Sequence, residues 1–221
     1  MATYNVSTLM QDIRIALDEN DASTPLITEE NIDAITLDDI IHSKIEDAAA
    51  VVCKQAPLSM TDGGTTAFAA TQSNKLSEGL GGNITVPDGE FILPADYLRL
   101  VYIKMSTWKR PVVEPITPVD PLYAQMASEV TGVTGNVNRP VAAIVNKPDG
   151  LNMELYPSTG NLSGCYLARP AITSAQSTET IALPPKLKPA IVQYTAALTC
   201  MALGMADKAK IYIEYVKSLL Q

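Results

Sequence analysis

FILPADYLRLVYIKM, residues 91–105, is the stretch on which the reading of the fold turns. Its second half alternates, predicting a strand with Leu98, Leu100, Tyr102 and Lys104 on one face and Arg99, Val101, Ile103 and Met105 on the other. Pro94 and Asp96 mark the turn from which the strand starts. No catalytic grouping lies beside it, so the stretch asks for a sheet and not for an active site. Strands are also predicted over 112–116, 140–145, 151–156 and 165–169, with PSTGNLSG (157–164) turning the last two into a hairpin. The Pro-rich EPITPVDP (114–121) keeps its connection non-helical.

On either side of this β-rich segment (91–182) the period changes to helical. Val6, Leu9, Met10, Ile13 and Leu17 form one stripe, ended by DENDAST (18–24), and a short turn is expected around TEEN (28–31). Thr36 is placed to cap a second helix, with Asp39 three residues on; Leu37, Ile40, Ile41, Ile45, Ala48, Val51 and Val52 follow, and Pro57 stops it. After LPPKLKP, Ala190, Ile191, Tyr194, Ala197, Leu198, Met201 and Ala202 form a third stripe. Ala209, Tyr212, Ile213, Val216, Leu219 and Leu220 form a fourth, with Gly204 suited to the break between them. Between the N-terminal helices (1–56) and the sheet, residues 57–90 are rich in Gly, Ser, Thr and Ala. As an extended arm such a segment would span up to about 110 Å, and as a flexible coil roughly 30 Å. The expected class is α+β: a helical bundle from the N- and C-terminal helices (1–56 and 183–221), with an inserted antiparallel β-rich segment and a long extended loop.

The chain has 221 residues, 47% of them hydrophobic, enough for a substantial core, while nine of its twelve aromatic residues are Tyr. A net charge of −8 argues against broad nucleic-acid binding. The charge is uneven: residues 1–47 hold 11 acidic and 2 basic side chains, and 186–221 hold 2 acidic and 5 basic. That asymmetry suits one end of a subunit meeting the other end of a neighbour, and it also suits solvated faces. Cys53, Cys165 and Cys200 are odd in number and scattered, which points away from a disulfide framework or a zinc cluster. No apolar leader or membrane-length run is present, and a reducing, aqueous compartment is expected.

Motifs that would carry chemistry are sparse. His42 is the one histidine and is expected on or beside the buried stripe of its helix. GNLSG (160–164) lacks the spacing of a nucleophile elbow, and DGGTT (62–66) and EGLGG (78–82) lack the Gly-Lys-Ser/Thr ending of a phosphate loop. The acid pairs Glu29–Glu30 and Asp38–Asp39 suit helix starts, and DENDAS (18–23) lacks the remaining ligands of a calcium loop. The sequons at Asn5, Asn83 and Asn161 fit a composition rich in Asn, Ser and Thr. A glycan hydrolase would need paired carboxylates, for which Asp96 with Glu114 or Glu154 are the candidates; Asp96 is expected instead to cap its turn or pair with Arg99. No cofactor or metal is expected. Tyr194, Tyr212 and Tyr215 read as core or interface residues.

Two stretches together resemble a family. One runs from FILPADYLRLVYIKM through TGVTGNVNRPVAAIV (131–145) to MELYPSTGNLSGCYLARPAI (153–172); the other is LPPKLKPAIVQYTAALTCMALGMADKAKIYIEYVKSLL (183–220). Leu93, Pro94, Asp96, Tyr97 and Arg99, then Gly135 and Pro140, Leu155 with Pro157, and Tyr166 with Pro170 follow the pattern, closed by the helical 190–220. Over about two-thirds of its length the chain is similar to the head-to-tail connector or neck-ring adaptor proteins of tailed bacteriophages, of the short-tailed or crAss-like type. The longer Gly-rich 57–90 and an end at the last helix depart from that pattern, so the arm stands in for a portal-docking tail.

The resemblance implies a non-enzymatic virion protein at the phage neck, assembled in the host cytoplasm. It would form a homo-oligomeric ring of about twelve copies joined to the portal and to further neck or tail proteins. Genomic DNA would pass through without specific binding, and no membrane is involved. Under this reading Thr61, Gly63, Gly64, Phe68, Leu76, Leu80, Tyr212 and Tyr215 are the candidate subunit or portal contacts, and Asp12, Asp18, Glu19 and Asp38 the candidate lining of the DNA channel. The alternatives are another virion component (tail-completion, tail-tube or capsid-associated) and, behind it, the glycan hydrolase.

Overall fold

The computed structural model describes residues 1–17, 36–61, 65–68, 77–78, 84–85, 89–126, 135–175 and 178–221. In chain order these form β1 (Ala2–Asn5), α1 (Val6–Leu17), α2 (Leu37–Gln55), β2 (Thr65–Ala67), β3 (Ser77–Glu78), β4 (Ile84–Thr85), β5 (Glu90–Ile92) and β6 (Tyr97–Met105). They continue as α3 (Pro121–Met126), β7 (Val141–Lys147), β8 (Gly150–Tyr156), β9 (Asn161–Ala168), β10 (Ile172–Ala175), β11 (Thr178–Leu183), α4 (Lys188–Ala202) and α5 (Ala206–Leu219). The protein is a mixed α and β chain of antiparallel sheets, in two compact units: residues 1–64 with 169–221, and residues 65–168.

The first unit brings both ends of the chain together. β1 pairs with β11 from Ala2 opposite Leu183 to Asn5 opposite Thr180, and β10 takes the other edge of β11. These strands were not foreseen as part of the helical region, because β1 is four residues long and the strand it pairs with is 175 residues or more away. α1 buries Val6, Leu9, Ile13 and Leu17 of the predicted stripe, and Met10 is half-buried. α2 opens with the predicted capping box: the Asp39 N–H donates to Thr36 Oγ1 at 3.2 Å, and the Thr36 N–H donates to the Asp39 carboxylate at 2.9 Å. That arrangement satisfies two amides that the first turn would leave without partners.

α4 packs against α1, α2 and α5. Ala190, Ala196 and Ala197 are buried, which lets neighbouring backbones come close, and the two threonines in this core satisfy their hydroxyls within the helix. Thr195 donates to Ile191 O at 2.8 Å and Thr199 to Thr195 O at 2.9 Å, so neither leaves an uncompensated polar atom. α4 ends where Gly204 takes φ +76°, with the Met205 N–H on Cys200 O (2.8 Å) and the Gly204 N–H on Met201 O (3.1 Å). This left-handed cap satisfies two terminal carbonyls and turns the chain into α5.

The second unit is arranged around β9. β6 lies along one edge of it, while β2 and β4 share the other, and β3 adds beside β4. A second sheet has the order β5-β8-β7. Buried between them are Phe91, Leu100, Ile103, Met105, Trp108, Met153, Leu155 and Tyr166. Within 57–90, Leu58–Met60 form a 3-10 turn, β2 and β4 pair with β9, β3 with β4 and β5 with β8; most of the rest of the expected arm lies outside the described residues. Gly164 makes the close approach of β6 possible: a Cβ there would stand 2.7 Å from the Tyr102 carbonyl oxygen and 3.3 Å from Phe68.

Three strand expectations are corrected. The pairing of β6 with β9 shifts register between Tyr97 and Arg99 and again between Leu100 and Tyr102, so strict alternation breaks; Leu100, Ile103 and Met105 share the core, and Tyr102 faces out. An extra residue at each bulge turns the following side chains over. The hairpin expected from 157–164 does not form. Both edges of β8 are already occupied, by β5 and β7, so β9 must pair elsewhere. Residues 112–116 make only isolated bridges, Val112 to Ile103 and Ile116 to Ala143, consistent with prolines that cannot donate to a ladder. The TEEN turn lies outside the described residues.

Changing Gly204 to Ala is expected to cost about 1 kcal/mol, since the added Cβ meets nothing within 4 Å and only the left-handed φ is penalised. Chemical denaturation followed by helical circular dichroism measures it; Gly204→Asn should lose less, and equal stability of all three would refute the cap.

Candidate functional site

Of the side chains proposed as contacts, two point inward. Phe68 is buried, edge-on to Phe91 (5.4 Å between centroids, 77°) and 4.9 Å from Tyr166, so it belongs to the aromatic core of its own unit. Thr61 is 1% exposed and donates to Leu58 O at 2.9 Å. Gly63, Gly64, Leu76, Leu80, Asp18 and Glu19 fall outside the described residues. Asp12 and Asp38, proposed as channel lining, are engaged inside the first unit: Lys188 Nζ lies 2.7 Å from Asp12, and Arg14 of α1 pairs with Asp38 of α2. Lys188 also stands 5.3 Å above the Tyr4 ring.

The same holds along α2. Asp39 serves the cap, Asp47 pairs with Arg169 at 2.9 Å, and Glu46 accepts the Ile172 N–H at 2.6 Å. His42 meets Glu179 of β11 at 2.8 Å, which makes the lone histidine a helix-to-sheet tie. The acidic side chains described within 1–47 thus hold elements of one unit to one another. Burial pushes the Cys53 thiol up to about 11, as befits a small core residue and not a reactive thiolate.

The densest cluster of ionisable groups lies in the second unit. Glu90 of β5 and Glu154 of β8 are directly opposite in the ladder, and Lys147 of β7 reaches both, pairing with Glu90 and approaching Glu154 at 2.8 Å. Tyr123 of α3 and Tyr156 each donate to Glu154 at 3.0 Å. A hollow of about 400 Å³ runs beside this group, past Gly89, Gly135 and Ser158. Burial pushes the Glu154 carboxyl up, but hydrogen bonds from Lys147, Tyr123 and Tyr156 outweigh it and hold the group below its ordinary value. Lys147 is held above its own ordinary value by hydrogen bonds to Glu154 and Glu90. Tyr156 is pushed up to about 12 by burial and by its bond to Glu154.

Glu154, held ionised, does not suit the general acid of a glycosidase pair. Asp96 accepts from the Tyr166 hydroxyl at 3.0 Å, a bond between the turn before β6 and the middle of β9 that local sequence does not announce. The Lys147 cluster fastens α3 and three strands together. Among the described residues no group of three or more His, Cys, Asp or Glu side chains is placed to hold a metal ion, and no helix is long and apolar enough to cross a membrane.

Some of what the first unit leaves exposed is apolar. On α1, Ile15 is 74% exposed; on α5, Ile211 and Tyr215 are 68% and 52% exposed. Asp12 and Ile15 are three residues apart and Ile211 and Tyr215 four apart, so each pair shares a helix face. Asp12 and Tyr215 line one hollow of about 280 Å³ with Lys188, Pro189, Val192 and Gln193. The Tyr212 hydroxyl donates to Ala16 O at 2.7 Å and fixes α5 across α1, so this face is held rigidly. Of the three exposed apolar residues Tyr215 lines this hollow, and Ile211 and Ile15 lie one turn along from Tyr215 and Asp12. Tyr215 was visible in the sequence; Ile15 and Ile211 were not. Their signal is that each is apolar yet out of step with the buried stripe of its helix. No known family model matches the chain, and neither does any curated protein.

Replacing Lys147 by Met should leave two opposed, largely buried carboxylates and cost about 2–3 kcal/mol, with Glu90→Gln recovering more than half. Trp108, the sole tryptophan, buried with its indole N–H on Pro157 O at 2.8 Å, reports this by fluorescence. The pH dependence has two flanks. A depressed Glu154 contributes stability above the ordinary carboxyl range that is lost as pH falls through its folded value, and a raised Lys147 contributes stability that is lost as pH rises through its own. Unfolding midpoints read from Trp108 should therefore fall below about pH 4 and again at strongly alkaline pH, and the acid flank should shrink in the Lys147→Met variant.

Proposed function

We propose that this chain is a non-enzymatic structural subunit of a tailed-phage particle, a neck-ring or adaptor protein that repeats around the DNA exit channel and joins the portal to the tail. The observation that carries this reading is the exposure of Ile15, Ile211 and Tyr215 on α1 and α5, Tyr215 lining a hollow there, while Lys147, Glu90 and Glu154 are engaged with one another. A protein that works by contact presents apolar surface and keeps its charges satisfied; one that works by turnover leaves reactive groups in reach of a substrate. The resemblance of 91–105, 131–145, 153–172 and 183–220 to phage connector proteins supports the placement at the neck.

In this reading the helices of the first unit form the bundle that makes the ring contacts, and residues 65–168 are a β-rich insertion into it. About twelve copies at a net charge of −8 each would surround the channel with a negative field that keeps the phosphate backbone from adhering. Assembly would take place in the host cytoplasm and the finished protein would reside in the virion, with the portal and further neck or tail proteins as partners.

Light scattering and negative-stain imaging of the purified chain, alone and with the portal of the same genome, test the reading. Closed rings with a central opening are expected in at least one of the two samples, and a monomer in both would overturn it.

A further inference from the structure

Not every cation of this chain is answered by an acid. Arg14, Lys147, Arg169, Lys188, Lys210 and Lys217 each stand beside a carboxylate. Lys109, Arg110 and Arg139 are exposed and, among the described residues, make no ion pair. All three belong to one end of the second unit, where the loop after β6 (106–110) meets the turn before β7 (135–139) and the turn before β9 (157–161). The Lys109 N–H donates to Val137 O at 2.9 Å, which joins the first of these segments to the second. The Ser106 N–H donates to Asn161 O at 2.8 Å and the Thr107 hydroxyl to Thr159 O at 2.6 Å, which joins the first to the third.

The frame under these cations is fixed. Asn136 Oδ1 accepts the N–H groups of Asn138 and Arg139, both at 3.0 Å, and the buried Trp108 donates its indole N–H to Pro157 O. Cations on a preordered frame give up little freedom when they engage a partner. No Asp or Glu occurs in residues 104–113, 135–148 or 155–178. Glu90 and Glu154, which share a hollow with Gly135 and Thr159, have Lys147 between them. In a chain with 24 acidic side chains against 16 basic, this end is a positive patch within a negative field.

The same loops expose neutral donors beside the cations: the hydroxyls of Ser106 and Thr159 and the side-chain amide of Asn138. Cations interleaved with hydroxyl and amide donors are the mix that holds a sugar–phosphate backbone. The one aromatic residue of these segments, Trp108, is buried, so no ring is offered for bases to stack on. An acidic protein segment would meet the cations as well; the neutral donors favour phosphate, whose oxygens accept from both kinds of group.

We propose that the loop end carrying Lys109, Arg110 and Arg139 is a contact surface for the phosphate backbone of nucleic acid, indifferent to base sequence. The net charge of −8 repels the backbone from the rest of the chain, so this end alone approaches it. The proposal goes beyond the neck-ring reading and does not depend on it, since a single copy presents the same patch.

Fluorescence anisotropy of a labelled DNA duplex titrated with the full chain tests it. Three phosphate contacts give a slope of log affinity against log salt of about −2.7, which is roughly a fortyfold loss between about 50 and 200 mM salt. Lys109→Gln, Arg110→Gln and Arg139→Gln should each reduce that slope by about 1. Lys208→Gln, which removes the same charge from α5, should leave it unchanged. All four positions are exposed, and circular dichroism checks that each variant is folded. No binding at the lowest salt, or an equal effect of Lys208→Gln and the three loop variants, would overturn the proposal. Polyglutamate that displaces the duplex as well as unlabelled duplex does would overturn the assignment to phosphate.

Discussion

The second unit depends on one pairing, that of its first strand with its last. Thr65, Thr66 and Ala67 of β2 lie opposite Leu167, Tyr166 and Cys165 of β9, so the segment leaves and returns at the same place. A segment of about a hundred residues whose ends are neighbours closes on itself as a compact unit. β9 can serve this purpose because it is paired along both edges, with β6 on one and β2 and β4 on the other. Both edges are protected from pairing with other chains. Gly164, in the middle of β9, is where the β6 backbone and Phe68 come too close for any side chain. The first unit solves the complementary problem with β1 on β11, a short ladder that ties residue 2 to residue 183 and gives α1 and α4 a common base.

Satisfied charge is the second theme. The acidic side chains described in α1 and α2 are each committed to a cap, a lysine, an arginine or a backbone amide, and the Lys147 cluster neutralises a cross-strand pair of glutamates that would otherwise repel. Partly buried pairs of this kind are worth more as specificity than as stability: each selects one packing of helix on sheet, because any other leaves a charge without its partner. Beside the exposed charged side chains of α5, the first unit also exposes the apolar Ile15, Ile211 and Tyr215.

Much of this could be read along the chain. The stripe of α1, the Thr36–Asp39 cap, the break at Gly204 and the positions of β6, β7 and β8 are all local: each depends on residues a few places apart, with a periodicity or a cap that has one low-energy outcome. The exposed Tyr215 was likewise visible as an aromatic residue on a helix with a second apolar face. The apolar residues out of step, Ile15 and Ile211, carried the same message less audibly, because one isoleucine beside a stripe reads as part of a broad stripe until the packing partners are known.

The sequence by itself determined the four long helices, the break at Gly204 and which residues seek burial, since those follow from dihedral preference and hydrophobic period, but it did not announce the short α3. Only the tertiary structure decided which strand lies beside which, that β8 and β9 part company, that Phe68 turns inward, and that Lys147 joins Glu90 to Glu154. A strand has two edges and no label for its partner; the choice is made by which pairs bury the most apolar surface without stranding a polar group, and that sum runs over residues far apart in the chain. The bulges in β6 show the same rule at the scale of one residue, where the demand to bury Leu100 together with Ile103 and Met105 overrode the alternation written in the sequence.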